Sequence, residues 1–215
     1  MFISGGAARH VTPAAGLIVA VNATVFVLER IVAGGAAGWA GAYGLRPLVL
    51  MQGEVADGGA YIDPYMLTLV SAPFLHAGLG HLAVNMACLA AIGPVVERRV
   101  GWWRFLLVWA AACSGGAMVH AVTHANSMAP LIGASGGVAG LVGVLLLSGP
   151  AGVAAGGLWV AIQLAELLVS DATAYGPQVA WAAHLGGFGV GGMVALLVRW
   201  GPLGDGSGGR EPERS

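Results

Sequence analysis

Residues 103–123 read WRFLLVWAAACSGGAMVHAVT, a run whose single Asp, Glu, Lys or Arg is Arg104, in its first turn. As a helix rising 1.5 Å per residue, such a run is about 30 Å long, the thickness of bilayer hydrocarbon. Five more apolar runs lie between breakers, at about 13–33, 69–94, 130–148, 152–170 and 178–199. Across all 215 residues, 57% are hydrophobic and 9% charged, with a mean hydropathy of +0.81. An average soluble domain is roughly 25% charged, so a soluble globular enzyme is excluded. The expected fold is an all-α membrane protein: a six-transmembrane-helix bundle over residues 1–200, then a disordered, solvated tail over 201–215 rich in Gly, Pro, Glu and Arg.

Charge and cysteine usage narrow the function classes. All nine cationic residues are arginines and nearly balance ten acids, so no basic footprint for nucleic acid exists. Cys88 and Cys113 sit inside apolar runs, where a thiol behaves as a small hydrophobe and signals neither a disulfide framework nor a thiolate metal site. With the N-terminus inside, the inner segments hold Arg9, Arg98, Arg99, Arg104, Arg199, Arg210 and Arg214, and the outer ones Arg30 and Arg46. That bias favours both termini in the cytoplasm. The competing view, a cleaved signal sequence over 13–28, has only Arg9 ahead of it and Glu29-Arg30 across the cleavage region. The connection 34–68 lacks the unbroken apolar length to cross again and is expected along the interface. Trp102, Trp103, Trp159 and Trp200 stand near span ends, as interfacial anchors do.

Glycine, with 37 copies, is the other compositional signal. Within a bilayer it lets helix backbones approach closely. Gly136 with Gly140, and Gly187 with Gly191, set such spacings in the fourth and sixth runs.

Few polar side chains remain for packing to explain. His81 and Asn85 are four apart, one turn on one helix face. Ser135 stands in Gly133-Ala134-Ser135-Gly136-Gly137, and His184 shares a stripe with Gly187 and Gly191. Counted from Pro73, Pro130 and Gln178, these residues fall about 7–12 Å below their helix starts, in one layer. Each alone has a plainer reading: a serine bonding its own helix carbonyl, a packing histidine, a His-Asn pair as interhelical glue. A serine, a histidine able to take its proton and two hydrogen-bond donors at one depth form the inventory of nucleophilic acyl transfer.

Three motifs carry a family resemblance: residues 74–86, FLHAGLGHLAVNM; Gly133-Ala134-Ser135-Gly136; and Ala183-His184-Leu185-Gly186-Gly187 with Gly191. In order and in helix placement they resemble the signatures of rhomboid intramembrane serine proteases. The resemblance implies a catalytic dyad of Ser135 and His184, an oxyanion held by the Ser135 N–H with the His81 and Asn85 side chains, and no third acid. It also implies cleavage of membrane-anchored proteins near the outer leaflet, small residues at the cleaved bond, and no cofactor. Partners would be transmembrane protein substrates and membrane lipids; the sequence carries no signal of oligomeric state. Two positions depart from the family pattern. Many members carry an aromatic one turn after the serine, where Ala139 stands here, implying a less firmly held His184. Many also carry a Trp-Arg pair in the first loop, where this chain reads Tyr65-Met66-Leu67-Thr68.

Other readings stay open from the sequence. A catalytically inactive rhomboid-like protein that binds membrane segments shares the motifs. A small transporter would use Asn22, Gln163 and Glu166, although Glu166 lies close enough to a span end to reach the interface. His120 and His124, four apart, have metal-ligand spacing but no carboxylate or cysteine spaced to complete a site, so no metal is expected.

Overall fold

A computed structural model describes residues 12–32, 36–52, 64–172 and 180–199; the expected tail at 201–215 lies outside them. The helices are α1 (Pro13–Val32), α2 (Ala36–Tyr43), α3 (Pro47–Gln52), α4 (Thr68–Ser71), α5 (Leu79–Val100), α6 (Trp102–Thr123), α7 (Ser135–Leu145), α8 (Pro150–Ala172) and α9 (Trp181–Arg199). Short 3-10 turns occupy Pro64–Leu67, Ala72–Phe74 and Leu146–Ser148. Among the described residues three helices, α1, α5 and α6, are long and apolar enough to cross a membrane, and shorter apolar helical stretches lie at Ser135–Ser148, Pro150–Ala165 and Trp181–Leu197.

Two of the expected runs are divided. The run at 69–94 breaks into α4, the 3-10 turn and an extended link before α5, because Pro73 sits in the turn and Leu75 leaves it at φ −96°, ψ 144°. The run at 130–148 begins with five non-helical residues, so α7 starts only at Ser135. Both breaks keep apolar composition while abandoning helix, a difference that hydropathy does not register.

At the centre α6, α7 and α9 pack together, with α1 and α5 on one flank. Leu89, Val96, Phe105, Val108, Trp109, Leu141 and Val144 form the main core with Ala14, Ala15 and Ile18 of α1. Every residue from Gly136 to Val144 is buried. The two glycine stripes expected from the sequence mesh with each other. A Cβ on Gly187 would lie 2.2 Å from the Gly136 carbonyl oxygen, and one on Gly191 2.4 Å from the Gly140 Cα.

A polar clasp fixes α1 to α5. Pro13 has no N–H, and the next two amides, of Ala14 and Ala15, donate to Glu97 Oε1 and Oε2 at 3.0 and 2.8 Å. Glu97 is buried. Bonds to a charged acceptor are each worth about 1.5–3 kcal/mol, and a negative charge favours a helix N-terminus. Glu97→Ala is therefore expected to destabilise the fold by on the order of 3 kcal/mol, visible as a lower melting temperature in detergent. Glu97→Gln, which keeps one acceptor, should lose less.

The connection after α1 is fastened to the loop ahead of α7. Leu45 and Leu131 exchange backbone bonds of 3.1 and 2.7 Å, and the Leu48 N–H donates to the Ser127 carbonyl at 2.9 Å. Ser71 Oγ donates to the Tyr43 carbonyl at 2.7 Å, tying α4 to α2. These bonds determine where the residues preceding Ser135 lie.

Candidate active site

Ser135 opens α7 because the chain before it is committed elsewhere. Leu131 is bridged to Leu45, the Gly133 N–H donates to the Ala72 carbonyl at 2.9 Å, and Gly133 has φ +116°, a conformation that favours glycine. Helix then begins after the buried Ala134. As the first helical residue, Ser135 has an N–H with no intrahelical acceptor, and it sits at the positive end of the helix dipole.

His184 is in the first turn of α9. Its Nε2 lies 2.8 Å from Ser135 Oγ. The approach depends on the absence of side chains nearby: a Cβ on Gly116 would fall 2.4 Å from the Ala183 carbonyl oxygen, as one on Gly187 would from that of Gly136 at 2.2 Å. The other ring nitrogen, Nδ1, is 2.5 Å from Oε1 of Gln163, a buried residue of α8. One turn earlier on α8, the Trp159 ring is tilted 6.3 Å from the His184 ring and stacks on Phe188 at 5.2 Å and 7°. Ala139 is fully buried, and aromatic contact to His184 comes from α8 rather than α7.

His81 lies in the first turn of α5, half-buried. Its Nδ1 accepts from the Ala77 N–H at 3.4 Å, which leaves the ring proton on Nε2. A Cβ on Gly133 would lie 2.8 Å from both His81 Cε1 and Nε2, and 3.9 Å from Ser135 Oγ, so His81 borders the serine. Asn85 is buried, and its Nδ2 donates to the His81 carbonyl at 2.9 Å, leaving one amide proton for another acceptor. His76, almost fully buried, presents its ring to His81 at 5.0 Å and 64°.

A small pocket beside Ser135, about 20 Å³ of free volume, is lined by Ala72, Cys113, Ala117, Ile132, Gly136 and Ala183 among others. That is room for one methyl- or water-sized group.

Of the four residues picked from the sequence, Ser135 and His184 meet directly, His81 borders them across Gly133, and Asn85 lies one turn further along α5, bonded to the His81 carbonyl. His120 and His124 instead stack on each other at 4.2 Å, with Trp181 at the edge of His124. Among the described residues no group of three or more His, Cys, Asp or Glu is arranged to hold a metal ion. Asn22 bonds back to the Ile18 carbonyl at 2.9 Å, the side chains of Glu166 and Asp171 lie outside the described residues, and Gln163 contacts His184. Sequence reasoning assigned Gln163 and Trp159 no place here. Their signal was the i, i+4 pair Trp159/Gln163 on one run at the depths of Phe188/His184 on the next.

Residues 63–201 match the sequence profile of the Rhomboid domain. The chain is 41% identical over 78 residues to Rhomboid protease GluP of Bacillus subtilis, covering 36% of this chain and 15% of that protein. It is 35% identical over 78 residues to RHOMBOID-like protein 5 of Arabidopsis thaliana, covering 36% and 25%. With Rhomboid-type serine protease 2 of Emericella nidulans it shares 28% identity over 140 residues, covering 60% and 26%. The chain therefore spans about a quarter or less of the length of these curated relatives.

Proposed function

The chain belongs to the rhomboid family, and from that premise we propose that it is an intramembrane serine endopeptidase that cuts membrane-anchored proteins near the outer leaflet. The observation that carries this reading is the 2.8 Å contact between Ser135 Oγ and His184 Nε2, inside the reach required of a nucleophile and its base. Ser135 Oγ attacks the scissile carbonyl as its proton passes to His184 Nε2. The tetrahedral oxyanion is held by the Ser135 N–H, the His81 Nε2–H and the free amide proton of Asn85. Collapse breaks the C–N bond, the leaving amine takes the proton from His184, and an acyl-serine remains. Water then adds by the same route in reverse, releasing the new carboxyl end and Ser135.

The small pocket fits an alanine-sized residue at the cleaved bond. Because a helix engages its own carbonyls, the substrate must unwind locally before the carbonyl is available. The membrane arrangement that goes with this activity is six spans in the plasma membrane, formed by α1, α5, α6, α7, α8 and α9, with both termini cytoplasmic and an arginine bias toward that side. Transmembrane proteins are the substrates and lipids the surroundings.

Labelling with a serine-directed fluorophosphonate, followed by mapping the cleavage site on a model single-span substrate, tests the proposal. Labelling at Ser135 and a cut in the outer half of the span are expected. Folded, detergent-solubilised protein that neither labels nor cleaves would leave an inactive, segment-binding relative.

Two further outcomes follow from the donors. Truncating one oxyanion donor in a soluble serine protease costs about 2.7–4 kcal/mol, and a shared set costs less for each member. Asn85→Ala should lose about tenfold to a hundredfold in kcat, and His81→Ala at least as much, with KM little changed. A fall in melting temperature that accounts for all the lost activity would assign both residues to packing. Gly133→Ala should cost at least about tenfold in kcat, because its new Cβ both strains a positive φ and meets His81 at 2.8 Å.

A further inference from the structure

We propose that Gln163 is a positioning residue that sets the tautomer of His184, an inference that rests on the Ser135–His184 dyad reading. A neutral imidazole carries one proton on two nitrogens, and only the form protonated at Nδ1 leaves Nε2 able to accept from a serine hydroxyl. The other form donates from Nε2 to Oγ and deprives the serine of its base. His184 has no carboxylate on Nδ1 among the described residues; what it meets there is the amide oxygen Oε1 of Gln163 at 2.5 Å. An amide oxygen only accepts, so this contact requires Nδ1–H and leaves Nε2, 2.8 Å from Ser135 Oγ, as the acceptor.

The contact is built in rather than incidental. Gln163 is 5% exposed, so its amide has little access to bulk water. Trp159, on the same face of α8, stacks on Phe188, which lies one turn below His184 on α9. The two pairs, Trp159/Gln163 and Phe188/His184, therefore oppose each other in matching layers. One layer packs ring on ring, and the other fixes the imidazole proton. During the reaction Nδ1–H stays on His184 and keeps its bond to Oε1 while Nε2 gains and returns the serine proton, so Gln163 never exchanges a proton.

The orientation of the amide decides everything, since a Gln163 turned to present its NH2 would donate to Nδ1 and force the inactive tautomer. Selective 15N-histidine NMR of the wild-type protein, with the His184 signal identified by its loss in His184→Ala, reads the protonated nitrogen directly and does not require activity. Protonation at Nδ1 is expected, shifting toward a mixture in Gln163→Met, which keeps length but removes the acceptor. In kinetics Gln163→Met should lower kcat about tenfold to a hundredfold with KM and melting temperature near wild type. Gln163→Glu, whose carboxylate only accepts, should restore most of it. A wild-type His184 protonated at Nε2, or Gln163→Met as fast as wild type, overturns the proposal. Absence of wild-type cleavage together with Nδ1 protonation would instead count against the protease reading and leave the tautomer assignment standing.

Discussion

Ser135→Ala and His184→Ala are each expected to abolish cleavage of a single-span substrate reconstituted with the protein, while the folded state persists. The two side chains bond to each other, and neither belongs to the main core. In the proposed reaction Oγ is the atom that forms the acyl bond, and the imidazole is the only base within hydrogen-bond reach of it among the described residues. In a soluble serine protease the loss of either member leaves only the catalysis supplied by binding and the oxyanion hole. A peptide bond buried in a membrane is cut so slowly without help that such a residue of activity falls below detection. Cleavage assays and thermal unfolding on the same preparations check this, and near-wild-type turnover in either variant removes the dyad.

The second large effect is on folding. Gly140→Leu should yield no stably folded protein. Even its Cβ would sit 2.2 Å from the Ala112 Cβ and 3.1 Å from the Gly187 carbonyl oxygen, with the Gly191 Cα at 3.4 Å. Overpacking a core ordinarily costs about 1–3 kcal/mol because side chains can shift aside. Here backbone of α9 and the wall of α6 stand on either side, so two helices must separate. Gly157→Leu, at an exposed glycine of α8 with nothing within 4 Å of a new Cβ, is the control expected to behave as wild type. Size-exclusion profiles and melting temperatures compare them; a monodisperse, thermally normal Gly140→Leu would mean that the helices are not locked as described.

How much of this was legible beforehand depended on what kind of information each feature carries. Apolar length located α1, α6, α8 and α9 to within about three residues at each end, because hydropathy and helix coincide there. They part company at 72–78 and 130–134, where Pro73 and the positive φ of Gly133 break the helix without a change in polarity. Ser135, His184, His81 and Asn85 stood out because polar residues in an apolar run have few places to go. Gln163 also stood out, but its partner could not be named: one glutamine on one helix is equally suited to a solute path or an imidazole. Matching its depth and that of Trp159 against the next run would have paired them with His184 and Phe188. Glu97 gave no comparable signal, since it binds backbone amides more than 80 residues away, and any sequence there presents the same amides.

Because α7 is enclosed by protein from Gly136 to Val144, it never has to match the thickness of the bilayer. Helices that touch lipid accommodate mismatch by tilting or by deforming the membrane around them. An 11-residue helix, about 16 Å long, could not do so if exposed, yet shielded it can be much shorter than the bilayer is thick, and in the proposed orientation it starts below the outer surface with Ser135 as its first residue. Changes in lipid chain length should accordingly act on the outer helices α1, α5 and α8. The serine's own helix answers to the volume and shape of its neighbours, as the centre of a water-soluble protein does.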